Sequence, residues 1–145
     1  MATLERAIEI ARKAHDGQFD KAGMDYINHP LRVMEKGLTE KEKIVGVLHD
    51  VVEDSDWTFE MLKGEGFSDD VIDALKCVTK LSEDEDYDHF IDRILGNQLA
   101  VKVKLNDLED NLDLSRLANP SEKDVVRSKK YMRARARLKD ALNES

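Results

Sequence analysis

The sequence predicts an all-α fold. Apolar residues recur at helical spacing along most of the chain, and Ser, Thr or Asn repeatedly stands just ahead of such a stripe. Only Val101-Lys102-Val103-Lys104-Leu105 alternates like a strand. Val101, Leu105, Leu108 and Leu112 keep helical spacing through it, and no partner strand is evident, so it reads as a helix too. With 145 residues the chain is long enough for a real core, and residues 1–145 are expected to form one compact helical bundle.

The elements follow in order. Thr3 caps a first helix whose Leu4, Ala7, Ile8, Ala11, Ala14 and His15 form one stripe, and Gly17 ends it. The segment from Gln18 to Asn28 contains Gly23, has no clear period and reads as a loop. Pro30 suits the first turn of a short helix closed by Gly37. Thr39 and Glu42 form a capping box for a helix running through His49 and Asp50 to Asp54. Thr58 caps a short helix reaching about Lys63, before Gly64 and Gly66. Ser68 starts a helix bearing Val71, Ile72, Leu75 and Val78, with Asp69 and Asp70 favourable in its first turn. The acidic run from Glu83 to Asp88 reads as a solvated loop. Phe90, Ile91, Ile94 and Leu95 mark a helix ending near Gly96-Asn97. Asn119-Pro120-Ser121-Glu122 opens a final helix to about Leu142, with Arg127, Lys129, Lys130, Arg133, Arg135, Arg137 and Lys139 as a cationic outer face.

Charge narrows the function classes. Lys and Arg number 23 against 31 Asp and Glu, a net charge of −8, which argues against general binding to nucleic acid or an anionic membrane. A phosphorylated small molecule remains compatible, because a bound divalent cation reverses the local sign. Cys77 is the single cysteine, so no intrachain disulfide forms, which fits a reducing cytoplasm. No signal peptide is recognisable, and no apolar run approaches the roughly 20 residues that span a bilayer. A cytoplasmic protein is expected.

Chemistry concentrates in Val47-Leu48-His49-Asp50-Val51-Val52-Glu53-Asp54, where an imidazole and three carboxylates interrupt an oily run. Carboxylates enclosed by apolar neighbours need a cation or hydrogen bonds to compensate them, and a metal site is the simplest explanation. His29 and Asp107 offer further ligands. Two imidazoles and two carboxylates, completed by water, suit Mn²⁺, Fe²⁺, Co²⁺ or Mg²⁺ better than a closed tetrahedral zinc site. His15 extends an apolar stripe and reads as a structural histidine, while His89 reads as a surface residue. Trp57, Phe59 and Cys77 read as core.

Five segments carry a resemblance. They are Ala14-His15-Asp16-Gly17-Gln18, Tyr26-Ile27-Asn28-His29-Pro30-Leu31, Leu48-His49-Asp50-Val51-Val52-Glu53-Asp54, Cys77-Val78-Thr79-Lys80-Leu81 and Lys104-Leu105-Asn106-Asp107-Leu108-Glu109-Asp110-Asn111. In this order they closely resemble the HD-domain hydrolases of the RelA/SpoT type, most of all the stand-alone small alarmone hydrolases. The resemblance spans roughly residues 7 to 117. It implies an all-helical HD-type bundle and one Mn²⁺ held by His29, His49, Asp50 and Asp107. It further implies Glu53 and Asp54 as the catalytic acidic pair, and Asn111 and Lys21 as substrate-binding residues. The implied reaction is hydrolysis of the 3′-diphosphate of guanosine tetra- or pentaphosphate to pyrophosphate and GDP or GTP. The partner is thus a small-molecule nucleotide, and the chain is compatible with a homo-oligomer.

One departure bears on the substrate. Asp20 stands where the family usually carries an Arg that packs on guanine. A carboxylate cannot stack on a purine as a guanidinium does, although it can accept hydrogen bonds from a base edge or sugar. The sequence therefore also admits another nucleotide substrate, such as NADPH or an adenine alarmone, or a nucleotide-sensing module without turnover.

Overall fold

In the computed structural model, residues 2–113 and 117–143 are described. Among them the ordered elements are helical, and strand pairing is confined to one isolated bridge between Phe19 and Asp25. The helices are α1 (Leu4–Ala14), α2 (Asn28–Lys36), α3 (Glu40–Leu48), α4 (Val51–Asp54), α5 (Phe59–Gly64), α6 (Asp69–Val78), α7 (Tyr87–Leu95), α8 (Gln98–Leu112) and α9 (Glu122–Asn143). None is long and apolar enough to cross a membrane.

Local chemistry fixes most helix starts. Thr3, Thr58 and Ser68 each accept a backbone N–H from the first turn of α1, α5 and α6, and Thr39 with Glu42 completes the expected capping box on α3. Ser121 and Asp124 do the same for α9: the Asp124 N–H donates to Ser121 Oγ at 3.2 Å, and the Ser121 N–H to Asp124 Oδ2 at 2.8 Å. Proline at position 30 sits in the first turn of α2, which begins two residues earlier at Asn28.

Helix α3 occupies the centre, packed against α1, α2, α6 and α8. Ile44, Val45, Val47 and Leu48 are buried there with Ile10, Val33, Leu75 and Leu108. Gly46 permits close approach of α2: a Cβ at this position would lie 3.3 Å from the Cα and N of Met34. This contact sets the spacing between the helix carrying His29 and the helix leading to His49. The strand-like alternation of Val101, Val103 and Leu105 now has a cause. All three are buried because α8 packs against five helices, α2, α3, α6, α7 and α9.

Three expectations change. The helix read through Asp54 breaks at His49-Asp50 into α3 and α4. The His49 Nδ1–H donates to the Gly46 carbonyl at 2.6 Å, a side-chain bond to an acceptor that a continuing helix would use. Asp50 takes φ −106°, ψ 0° at the break. Second, the cationic face of α9 is partly paired with acids. Arg137 pairs with Asp92, Arg135 lies 3.6 Å from Glu109, and Arg127 lies 3.5 Å from Asp124 within α9, while Lys129, Arg133 and Lys139 are exposed beside the apolar Val125, Val126 and Met132. Third, the acidic run is not solvated throughout. The Glu85 side chain is only 4% exposed and accepts from Arg93 Nε and Nη2, both at 2.8 Å, and from the Leu81 N–H at 2.9 Å. Arg93 also donates to the carbonyls of Lys76 and Thr79, so this pair ties the loop after α6 to α7.

The Arg93 hydrogen bonds hold the Glu85 carboxyl at about 2, below the carboxylate range. Its contribution to stability is therefore complete above about pH 5 and declines as pH falls towards 2. Glu85→Gln should cost roughly 1–2 kcal/mol at neutral pH in urea unfolding. It should also flatten the loss of stability across that acid window; an unchanged acid profile would remove Glu85 from this role.

Candidate metal centre

The site forms where the start of α2, the α3–α4 break and the middle of α8 meet. His29, His49 and Asp50 each bring one potential ligand atom within 4.8 Å of the others. His29 Nε2 lies 3.8 Å from Asp50 Oδ2, and His49 Nε2 lies 3.0 Å from the same oxygen. Asp107 Oδ1 lies 2.8 Å from His29 Nε2 and 3.3 Å from His49 Nε2. The helix break resolves the difficulty that adjacent helical residues diverge by about 100°: at the turn, the side chains of His49 and Asp50 both reach this point.

These residues fit a divalent cation. His49 Nδ1 is committed to Gly46, and its Nε2 is buried without a hydrogen-bond partner although two carboxylates stand close by. His29 is oriented in the same way, its Nδ1–H donating to Asp110 Oδ2 at 2.6 Å. Such an acceptor behind a ligating imidazole fixes its tautomer and aims the other nitrogen at the metal. His29, His49 and Asp50 thus form a group that could hold a cation, and Asp107 Oδ1 stands beside both imidazoles although it falls outside that mutual group.

The protonation equilibria report the same demand. Burial depresses His49, but the charges of Asp50 and Asp107 outweigh it and raise its pKa well above the usual value. His29 is raised likewise, burial being overcome by its bonds to Asp107 and Asp110. Burial opposes ionisation of Asp50, yet the His49 charge lowers it to about 2. Asp107 falls well below the normal range against burial, chiefly through Lys104 and His49. Lys104 is only 12% exposed and donates to Asp107 Oδ2 at 2.8 Å.

Glu53 and Asp54 lie beyond the break, on α4. Burial and the Asp50 charge raise Glu53, and burial with the charges of Asp50 and Glu53 pushes Asp54 up to about 6. Glu53 lines a cavity of about 240 Å³ containing the ligand set. Asp54 is held through its backbone: Gln18 Nε2 donates to its carbonyl at 2.9 Å, while Gln18 Oε1 lies 2.9 Å from His15 Nδ1. His15 is buried, as its stripe suggests, and His89 is exposed against Glu85.

A second cavity of about 290 Å³ adjoins the first and shares Tyr26, His29, Asn111 and Tyr131 with it. Asp20 and Lys21 line it from the loop between α1 and α2. Asp20 Oδ1 accepts the N–H groups of Ala22 and Met24, both at 2.9 Å, so that oxygen shapes its own loop. Lys21 Nζ lies 3.0 Å from Asp124 and links the loop to α9. Asn111 Nδ2 donates to Asp107 Oδ1 at 2.9 Å. Lys102, which with Lys104 is a candidate phosphate partner from sequence, is exposed and lines neither of these cavities.

No family model matches the chain. A guanosine-3′,5′-bis(diphosphate) 3′-pyrophosphohydrolase of Aquifex aeolicus is 35% identical over 118 residues, which are 76% of this chain and 17% of that protein. The Haemophilus influenzae protein of the same name is 34% identical over 112 residues, 70% of this chain and 16% of that one. The chain thus spans under a fifth of the length of these relatives. A solved structure described as a metazoan ortholog of SpoT that hydrolyzes ppGpp and plays a role in starvation responses aligns with a TM-score of 0.78 at 26% identity. That alignment covers 98% of this chain and 86% of the other. The chain belongs to the RelA/SpoT hydrolase family.

Within this RelA/SpoT-type domain, sequence reasoning missed two supporting residues, Asp110 and Tyr26, and read Lys104 as a phosphate partner where the structure pairs it with Asp107. Asp110 is buried and accepts from both His29 and Arg32, whose Nε lies 2.8 Å away. Its one signal in the sequence is its position three residues after Asp107, a turn further along the same helix. The Tyr26 hydroxyl donates to Asp50 Oδ2 at 2.6 Å. Lys104 neutralises Asp107.

His49→Ala and Asp107→Ala should abolish binding of one Mn²⁺ per chain in equilibrium dialysis; full occupancy in either would defeat the ligand assignment. Asp110→Asn should keep the site but weaken metal affinity by about 10–100-fold.

Proposed function

We propose that this domain is a Mn²⁺-dependent nucleotide phosphohydrolase that cleaves the 3′-diphosphate of guanosine tetra- or pentaphosphate, releasing pyrophosphate and GDP or GTP. The observation that carries this reading is the convergence of His29, His49, Asp50 and Asp107 from three remote stretches, leaving a buried imidazole nitrogen that lacks a partner. The names of the RelA/SpoT-type relatives, and the adjoining pair of cavities, support the substrate class.

In the reaction so proposed, water attacks the phosphorus bonded to ribose O3′, that P–O bond breaks, and the ribose oxygen takes up a proton. His29, His49, Asp50 and Asp107 would hold a divalent cation, which would supply Lewis acidity for the phosphoryl oxygens and the attacking water. Glu53 faces the cavity and lies in the positive field of Lys80 and Lys104, which favours its ionised form against burial, so it suits the base that orients water and takes its proton. Asp54, with its carboxyl at about 6, is the carboxyl of the pair better able to hold a proton near neutrality and pass it to the leaving oxygen. Asn111 and Lys21 line the second cavity, where the nucleoside would lie.

Asp20 favours a second reading of the substrate. A carboxylate at the loop where the family usually carries Arg removes a stacking surface for guanine, so another nucleotide, including NADPH or an adenine alarmone, competes for the assignment.

A nucleotide panel with Mn²⁺, read for pyrophosphate and phosphate release, should show turnover in wild type. Glu53→Gln should retain Mn²⁺ yet lose at least about 100-fold in kcat; full activity would exclude Glu53 as the base. Asp20→Arg should raise kcat/KM for guanosine tetraphosphate relative to adenine nucleotides, and an unchanged ratio would separate Asp20 from base choice.

A further inference from the structure

The lining of the metal cavity is also basic and aromatic, and the reaction just described gives Lys130 and Tyr87 no part and Lys80 only a field on Glu53. Lys80, from the turn after α6, and Lys130, from α9, line this cavity together with Tyr87 and Tyr131. Both ammonium groups approach the same ring: Lys130 Nζ lies 4.5 Å and Lys80 Nζ 6.0 Å from the Tyr87 centroid. Lys130 Nζ also lies 5.7 Å from the Tyr131 ring.

Neither lysine has an acidic partner within ion-pair distance among the described residues, although the chain carries 31 acidic side chains. Glu53 feels the charge of Lys80 but forms no ion pair with it. Lys104 differs, because Asp107 already compensates it. Burial and the neighbouring charges of Lys80, Arg127 and Lys104 push the Lys130 ammonium below its usual value, the mark of a crowded positive site. The buried Tyr87 hydroxyl makes no hydrogen bond and offers a further donor. Two uncompensated cations beside a metal centre describe a place for an anion with more than one charged group.

We propose that Lys80 and Lys130 form a subsite for the outer phosphoryl group of a diphosphate whose inner phosphoryl lies at the metal centre. This rests on the phosphohydrolase reading and sharpens it: the pair selects a diphosphate over a phosphomonoester. Cation–π contact with Tyr87 holds the two ammonium groups in place before the anion arrives, so less order is lost on binding.

The test is calorimetric titration of the Mn²⁺-loaded chain with inorganic pyrophosphate and, separately, with orthophosphate. Wild type should bind pyrophosphate roughly tenfold or more tightly than orthophosphate. Lys80→Met with Lys130→Met keeps the apolar stems and should lose about tenfold for pyrophosphate, with a change under about twofold for orthophosphate and with Mn²⁺ stoichiometry intact. If the double variant loses metal, Lys130→Met alone is read by the same criteria. Equal affinity of wild type for the two anions, or unchanged pyrophosphate affinity in a metal-loaded variant, would overturn the subsite. Wild type that releases no pyrophosphate from any nucleotide would instead defeat the hydrolase reading, because the titration needs no turnover.

Discussion

Everything at the centre of this bundle depends on an excess of buried electron pairs. His29, His49, Asp50 and Asp107 are turned towards one another across distances of 2.8–3.8 Å, so imidazole and carboxylate must compensate each other or share a cation. The carboxylates raise both imidazoles above their usual pKa against the effect of burial. The surrounding structure is arranged to hold this unfavourable cluster together. Gly46 lets α2 approach α3, its carbonyl fixes His49, Asp110 fixes His29, and Lys104 and Arg32 offset the outer carboxylate charge. Breaking one such support leaves a buried charge unpaired, which costs more than the lost contact alone.

The same demand explains why the central helix breaks where it does. A continuous helix from Glu40 to Asp54 would satisfy its backbone better but would point His49 and Asp50 apart. The turn gives both side chains to the site, and α4 resumes with the Asp54 N–H donating to the Asp50 carbonyl at 3.0 Å. Glu53 and Asp54 are thereby carried past the ligands on a separate short helix. They lie close enough for Asp50 to raise both carboxyls, yet neither belongs to the converging ligand group.

Features written in adjacent residues were legible in the sequence; features made by distant ones were not. Thr3, Thr39 with Glu42, Ser68 and the Ser121 start each cap a helix through contacts within a single turn, so the helix order follows from reading along the chain. The ligand residues stood out because carboxylates and histidines interrupt apolar runs. The break at His49-Asp50 depends on a side-chain bond and on ligands brought by α2 and α8, which periodicity does not report. Asp110 looked like one more surface acid until α8 proved to be covered on several sides. Glu85 was indistinguishable from Glu83 and Asp84 because its role is defined by Arg93 in another element.

A chain of net charge −8 offers a polyphosphate no long-range attraction. Locally the balance is different. In the cavity that holds His29, His49, Asp50 and Asp107, Lys80 and Lys130 have no acidic partner within ion-pair distance among the described residues, while most of the α9 arginines are paired with Asp88, Asp92, Glu109 and Asp124. Two lysines are thus left uncompensated where an anion would be enclosed. Within a low-dielectric wall each such charge acts more strongly than it would in open solvent. Selectivity for a polyanion then comes from a few preorganised groups, and an acidic exterior is compatible with it.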